Sequence, residues 1–451
     1  MNPYEIRRAL REQIAEIPIF DTHEHLQGEV GERLTDEAKP MNLFDLLSSA
    51  YVQAFWVQAG VPDVATITSS AKPPIERWAA LKPYMDRFAA CSTFVSFLRA
   101  FRDIYEFHDP DITDRNWEPL SRRIEERYSS TPRVAWLEHV LTWARVTRFI
   151  GNVTMPYFTE TLPLRPPKVA DFERRFFIPS PRVDAFLMGC YKEKSESGNG
   201  RSSNDRIRDL LHLTKETMKA SYRTFDEYLA FVDQAFQIYK KNNIAAIKVT
   251  IAYWRTLEIH SVDESEARRI FDLPDGAVTP DLERRFQDFM MAHLARKARD
   301  HGWPFHIHTG WGNTEVMLGN PALLCSFIRR PEFSRLRFVL FHGYPFVSEF
   351  LTVAKTHPIN VYLDMVWMPF LSMKASEQFL AEMLDAISCN KTTFGCDVAT
   401  PEHTYGTAEL GRDLLAKVLA ERIADGYLTE RLALRIAHML LHENAEQLYP
   451  R

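Results

Sequence analysis

From about residue 244 onward, short apolar runs alternate with amphipathic stretches. Ile244–Tyr253 (IAAIKVTIAY) reads as a buried strand, and Leu282–Arg299 as a helix with one apolar face. The same alternation continues with strands at Trp303–His308, Leu336–His342, Ile359–Asp364 and Lys391–Asp397. Helical patterns lie between them at Pro321–Arg330, Val347–Thr356 and Ser376–Ile387, and a last one runs from Ala408 to Tyr449. Five strand–helix alternations in a row predict a parallel sheet with helical crossovers. Three weaker strands precede them: the run Ile17–Leu26, the stretch Val146–Val153, and Phe176–Phe186, whose two prolines confine the strand to its C-terminal half. Eight such units predict a (β/α)8 TIM barrel. An open doubly wound sheet is the runner-up, and no phosphate-cradling GxGxxG or GxxxxGK[ST] signature supports it.

The rhythm is broken once, after the first strand. Residues 40–145 are helical and rich in aromatics, as in Thr93–Phe101 (TFVSFLRAF) and Val134–Ala144 (VAWLEHVLTWA). This predicts a helical insertion subdomain, with residues 1–39 starting the barrel and 146–451 completing it. Such an insertion shapes a pocket mouth or an oligomer contact. A short amphipathic helix is expected over residues 3–16, and a strong one over Thr224–Lys241. Lys192–Asp205 (KEKSESGNGRSSND) carries no apolar residue and reads as a mobile surface linker rather than a lid.

Composition narrows the function classes. The net charge of −5 and the lack of a basic stripe leave no footprint for nucleic acid. No run approaches the ~20 apolar residues needed to cross a bilayer, and the first residues lack the apolar region of a signal peptide. Five cysteines are scattered without CxxC spacing, which reads as free thiols in a reducing compartment. The expectation is a cytoplasmic, soluble protein with a small-molecule substrate, no nucleic-acid or membrane partner, and a homo-oligomer as the default for such enzymes.

Chemistry-bearing residues fall repeatedly at predicted strand ends, where barrel sites are built. The first strand delivers His23 and His25, which strand parity places on one side, roughly 6–7 Å apart along the chain. Lys248 lies on the Ile244 strand, His306 and His308 on the next, and His342, Asp364 and Asp397 end the last three. Each alone has an ordinary reading: a hydrogen-bonded core histidine, a lysine that snorkels to solvent, a helix N-cap. Six strands converging on one end is a constellation. Imidazoles with a carboxylate suit Zn²⁺ or another first-row divalent ion such as Mn²⁺. Such an ion makes hydroxide available at neutral pH. A neighbouring carboxylate takes the proton, and a further histidine polarises a carbonyl. Parity also places Asp21 on the face of the histidine pair, where it would orient a ligand, and turns Glu24 away into packing.

Asp21–Leu26 (DTHEHL), His308–Gly310 (HTG), Phe341–Gly343 (FHG) and Gly395–Asp397 (GCD) resemble, in order and position, the metal-dependent amidohydrolase superfamily. The closing Leu441–Tyr449 (LHENAEQLY) is similar to its amidohydrolase-2 branch. Ile247–Glu258, Phe341–Phe346 and Val361–Asp364 look like the amidohydrolase domain of FluG-type proteins. The likeness covers roughly residues 15–30 and 145–450. It implies His23, His25, His308 and Asp397 as metal ligands. His342 would be a further ligand or stand just behind them, and Asp397 would be the proton acceptor. Lys248 would either bridge two metals as a carbamate, as in binuclear relatives, or contact substrate beside a single metal, which is the preferred reading. Arg255 and Arg182 are candidates to hold a substrate carboxylate. His306 departs from the single histidine expected on strand five and is expected deeper in the barrel.

The resulting expectation is a divalent-metal hydrolase acting through activated water on an amide-type C–N, ester or lactone bond. Three rivals stand beside it: a non-oxidative decarboxylase on the same site, a uronate-type aldose–ketose isomerase, and a decayed barrel that binds a partner through its insertion.

Overall fold

The structure is a computed structural model that describes residues 3–26, 35–158, 166–194, 203–312 and 315–449. Eight strands alternate with helices: β1 Ile19–Glu24, β2 Val146–Val153, β3 Phe177–Pro181, β4 Ile247–Val249, β5 Phe305–His308, β6 Phe338–Phe341, β7 Val361–Asp364 and β8 Thr392–Thr393. Every neighbouring pair is parallel, in the order β1-β2-β3 and β4-β5-β6-β7-β8. Two seams close these arcs into a barrel. Between β3 and β4, the amide of Ala245 donates to Pro179 O at 2.9 Å and that of Val183 to Lys248 O at 2.9 Å. Between β8 and β1, Thr22 N donates to Phe394 O at 3.2 Å and Asp397 N to His23 O at 2.9 Å.

Local chemistry sets the crossovers. The helix Phe225–Lys241 starts at Thr224, whose hydroxyl accepts from Glu227 N while Glu227 accepts from Thr224 N, a reciprocal capping box. The helix Pro280–His301 is capped by Thr279, opens on proline and ends at Gly302 in the left-handed region, φ +69°.

Two features differ from the sequence reading. The strand predicted for the C-terminal half of Phe176–Phe186 lies in its N-terminal half, and Asp184–Met188 is a 3₁₀ turn. Pro179 and Pro181 share the parity of Val183, whose amide faces β4. Their missing N–H groups therefore thin the β3–β4 seam and leave the β2 side intact. The last strand shrinks to two residues, and Gly395–Asp397 pass into a loop. Of the Lys192–Asp205 linker, residues 195–202 lie outside the described residues, and Ser203 already begins a helix.

Phe20, Ile150, Ile178, Ala246, Val339, Phe341 and Val366 fill the barrel, with Leu448 and Tyr449 of the chain's end packed against them. A larger core joins the strands' outer faces to the crossover helices. Residues 43–143 form helices around a separate aromatic core that includes Trp56, Trp78, Phe97, Trp117 and Trp136. This helical unit is tied to the barrel at Glu402, whose buried carboxylate accepts from Tyr105 (2.7 Å), Tyr128 (2.9 and 3.0 Å) and Trp136 (3.2 Å).

Candidate metal centre

At the C-terminal end of the barrel, the side-chain nitrogen and oxygen atoms of His23, His25 and Asp397 lie within 4.8 Å of one another. His25 Nε2 is 2.9 Å from Asp397 Oδ1, and His23 Nε2 is 3.8 Å from the same oxygen. His342 Nε2 approaches the other oxygen, Oδ2, at 3.5 Å. The backbone is bent to achieve this. His342 (φ +73°), Trp367 (φ +66°) and Asp397 (φ +56°) are all left-handed non-glycine residues just past the ends of β6, β7 and β8. Such residues each cost about 1–3 kcal/mol and persist where surrounding structure enforces them.

The imidazoles are tuned to be neutral. Burial pushes His23 and His342 well below the ordinary histidine value; the Lys248 charge adds to this at His23, and His308 and then Lys248 add to it at His342. His308 is held down to about 3 by burial and then by Lys248. A neutral ring is the form that ligates a metal. His342 Nδ1 lies 3.0 Å from the Val366 carbonyl. That contact assigns the proton to Nδ1 and leaves Nε2 an acceptor. With its proton on Nδ1, the neutral His342 ring offers the site an acceptor rather than a donor.

The residues present fit a divalent ion. His23, His25 and Asp397 converge as acceptor atoms, and the buried Asp397 Oδ1 makes no hydrogen bond although His25 Nε2 stands 2.9 Å away. His308 is not among the converging atoms. Its Nε2 meets the Trp311 carbonyl at 2.9 Å, with Tyr253 packed against its ring at 4.3 Å. A Cβ on Gly312 would sit 2.9 Å from that nitrogen, so only glycine lets the loop pass so close.

Lys248 is buried inside the barrel. Its Nζ has no hydrogen-bond partner and lies 3.5 Å from the centre of the Phe341 ring. Burial lowers its pKa to about 7 against the opposing pull of Asp397, Asp184 and Asp364. His306 sits deeper on β5, its Nε2 2.8 Å from the Tyr449 hydroxyl. Arg182 stands beside the site, donating to Thr250 Oγ1 (2.8 Å) and Asp184 Oδ2 (3.3 Å).

Besides His308, expected as a metal ligand, two further sequence expectations meet a different arrangement. Arg255 does not face the site. Its guanidinium donates to Thr256 O (3.1 Å), Arg284 O (3.3 Å), Gln287 Oε1 (3.2 Å), Glu258 O (3.1 Å) and Asp288 Oδ1 (2.5 Å). Five acceptors match its five N–H groups, so it has none left for a substrate. Asp21 does not orient a ligand ring. Between Asp21 and Glu24 the pairing with β2 slips, three steps on β1 matching two on β2. This bulge breaks the period of two. Asp21 joins Glu24 and Cys396 in a second buried cluster, accepting from His23 N and Cys396 N, both at 3.1 Å. Glu24 accepts from Thr404 Oγ1 (2.7 Å) and Val398 N (2.9 Å). Burial raises both carboxyls, and the neighbouring Asp21 charge raises Glu24 further.

The sequence reading passed over an aromatic wall. Trp311 stacks on Trp367 with ring centres 5.6 Å apart, and Trp367 stands 5.3 Å from the His342 ring. Both follow strand ends, so the rule that located the histidines would have found them had it been applied to aromatic residues.

Residues 260–451 match the family described as Amidohydrolase. Protein fluG of Emericella nidulans is 28% identical over 223 residues, 46% of this chain and 25% of that protein, so the match spans about a quarter of that protein's length. Among solved structures, uronate isomerase from Thermotoga maritima superposes with a TM-score of 0.78 at 17% identity, covering 99% of this chain and 97% of its own. Glucuronate isomerase from Caulobacter crescentus gives 0.77 at 16%, covering 99% and 94%. At such identity these structures establish the TIM-barrel fold, with the helical unit after β1 inside the matched span.

Proposed function

We propose, on the premise that this chain carries an amidohydrolase-superfamily domain and is an enzyme, that it is a divalent-metal-dependent hydrolase. The bond is an amide-type C–N bond, or a related ester or lactone, in a small carboxylate-bearing substrate. The observation that carries this reading is the seat of Asp397, its carboxylate set between His25 Nε2 at 2.9 Å and His342 Nε2 at 3.5 Å.

His23, His25 and Asp397 would hold the ion, and Zn²⁺ suits this donor set. When bound, it supplies Lewis acidity that makes water a nucleophile at neutral pH. Asp397 takes the proton of the attacking water and returns it to the leaving nitrogen or oxygen. His342, with its Nδ1 proton committed to Val366, offers Nε2 as an acceptor that orients the water or the leaving group. Lys248, with a pKa of about 7, exists in both protonation states at neutral pH and can hand a proton to the substrate or take one. Arg182 is the arginine beside the site and binds the substrate carboxylate. Trp311 and Trp367 exclude water from one side.

A second reading, an aldose–ketose isomerase, draws on the whole-chain likeness to proteins named uronate and glucuronate isomerase. In it, Lys248 would move a proton between adjacent carbons. Mass spectrometry of a screen containing amides, lactones and hexuronates separates the readings. Our reading expects products whose masses together equal that of the substrate plus one water, as a single product where a lactone ring opens. A product of unchanged mass would replace it with the isomerase, and loss of carbon dioxide with the decarboxylase. Asp397→Asn is expected to lower turnover by about a thousandfold with an unchanged circular-dichroism spectrum; a fully active variant would refute the role of Asp397.

A further inference from the structure

A second cavity, of about 660 Å³, opens at the opposite end of the barrel. It is walled where β3 to β6 begin, so it is separate from the site at the strand ends. Its volume falls in the range of small-molecule pockets. Among the described residues none that lines it is acidic, while Lys240, Arg337 and Arg174, the last paired with Asp171, line it. The Lys240 side chain makes no ion pair or hydrogen bond among the described residues. Arg337 donates to the carbonyls of Leu448 (2.8 Å) and Gly302 (2.5 Å), and among the described residues its charge meets no carboxylate. The remaining wall mixes polar groups (Asn242, Asn243 and His301) with apolar and aromatic ones, including Ile178, Trp303 and Tyr449. In a chain of net charge −5, a concavity lined by one sign of charge is a local exception, and such a cleft focuses its field on an anion.

We propose that this cavity binds a small amphipathic anion, with a carboxylate or phosphate head against Lys240 and Arg337 and a planar apolar body against Trp303 and Tyr449. A bare inorganic anion would leave the apolar floor wet, and a neutral apolar molecule would desolvate cations without replacing their water. The occupant would touch the barrel interior directly. Tyr449 is hydrogen-bonded to His306 at 2.8 Å, and the His306 ring is 4.7 Å from Phe341, the ring under Lys248.

Isothermal titration calorimetry with phenyl phosphate, benzoate and inorganic phosphate tests this, and comparison of the two aryl anions identifies the preferred head group. Saturable binding of at least one aryl anion is expected, with inorganic phosphate at least tenfold weaker. Lys240 is exposed in the last turn of its helix, so Lys240→Glu changes charge without disturbing the core. That variant should weaken aryl-anion binding at least tenfold, whereas Arg182→Ala, at the catalytic end, should leave it unchanged. The proposal is overturned if neither aryl anion saturates by about 10 mM, if Lys240→Glu binds as the wild type does, if Arg182→Ala abolishes binding, or if inorganic phosphate binds as tightly as phenyl phosphate.

Discussion

Lys248 shows how a single residue is set by what surrounds it. An amine with no hydrogen-bond acceptor, laid on the face of Phe341, is costly to keep charged. Its pKa therefore falls from 10.5 to about 7 on folding, with burial the main cause. Between those values the unfolded chain binds more protons than the folded one, so stability rises with pH across that window. Metal-stripped protein should gain stability from pH 7 towards 10 relative to Lys248→Met, which carries no such proton. Urea melts of both proteins at several pH values measure the gap, and parallel curves would show that the amine is not desolvated. At this scale the sequence is most legible where strand ends bring side chains together, as with His23, His25, His342 and Asp397. It was least legible where partners are distant in sequence. Arg255 looked like a clamp because Asp288 and Gln287 lie more than thirty positions downstream, on a helix whose packing the sequence does not state. Asp21 was placed on the wrong face because a bulge leaves no mark that parity can read.

Among the elements, Glu402 is where the helical unit of residues 43–143 meets the barrel. It stands in the first turn of the helix Pro401–Ala424, five positions after Asp397, and collects donors from three helices of that unit. Glu402→Ala would leave the hydroxyls of Tyr105 and Tyr128 and the indole of Trp136 buried without their acceptor. A loss of about 3 kcal/mol is expected, with limited proteolysis cutting first within residues 43–143. A variant as stable and as resistant as the wild type would show that other contacts, such as Thr93 to Phe370 O and Arg99 to Glu409, seat the unit without Glu402. The sequence made the helices and most strands legible, because periods of 3.6 and 2 register burial directly. It misplaced β3, where two prolines suggested exclusion from the strand. In a parallel sheet those nitrogens can face a seam that needs few bonds, so both prolines were tolerated. Glu402 carried no signal, since one carboxylate at a helix start reads as an ordinary favourable charge.

For the whole molecule, eight strands carry a candidate ligand set from distant parts of the chain into one place. His23 and His25 come from β1 and Asp397 from just past β8, brought together at the β8–β1 closing seam, where Asp397 N donates to His23 O. The candidate metal centre therefore depends on barrel closure as well as on side-chain chemistry. Among the described residues, no helix is long and apolar enough to cross a membrane. The central claim is that this seam is a divalent-metal site, and elemental analysis by plasma mass spectrometry tests it most directly. Purified protein, or protein reconstituted with Zn²⁺ or Mn²⁺ and then desalted, should retain about one ion per chain, as a site of this donor set does. The variant His23→Ala/His25→Ala should retain almost none while keeping its circular-dichroism spectrum. A wild-type chain that holds no ion even after reconstitution, or a double variant that holds as much as the wild type, would contradict the account.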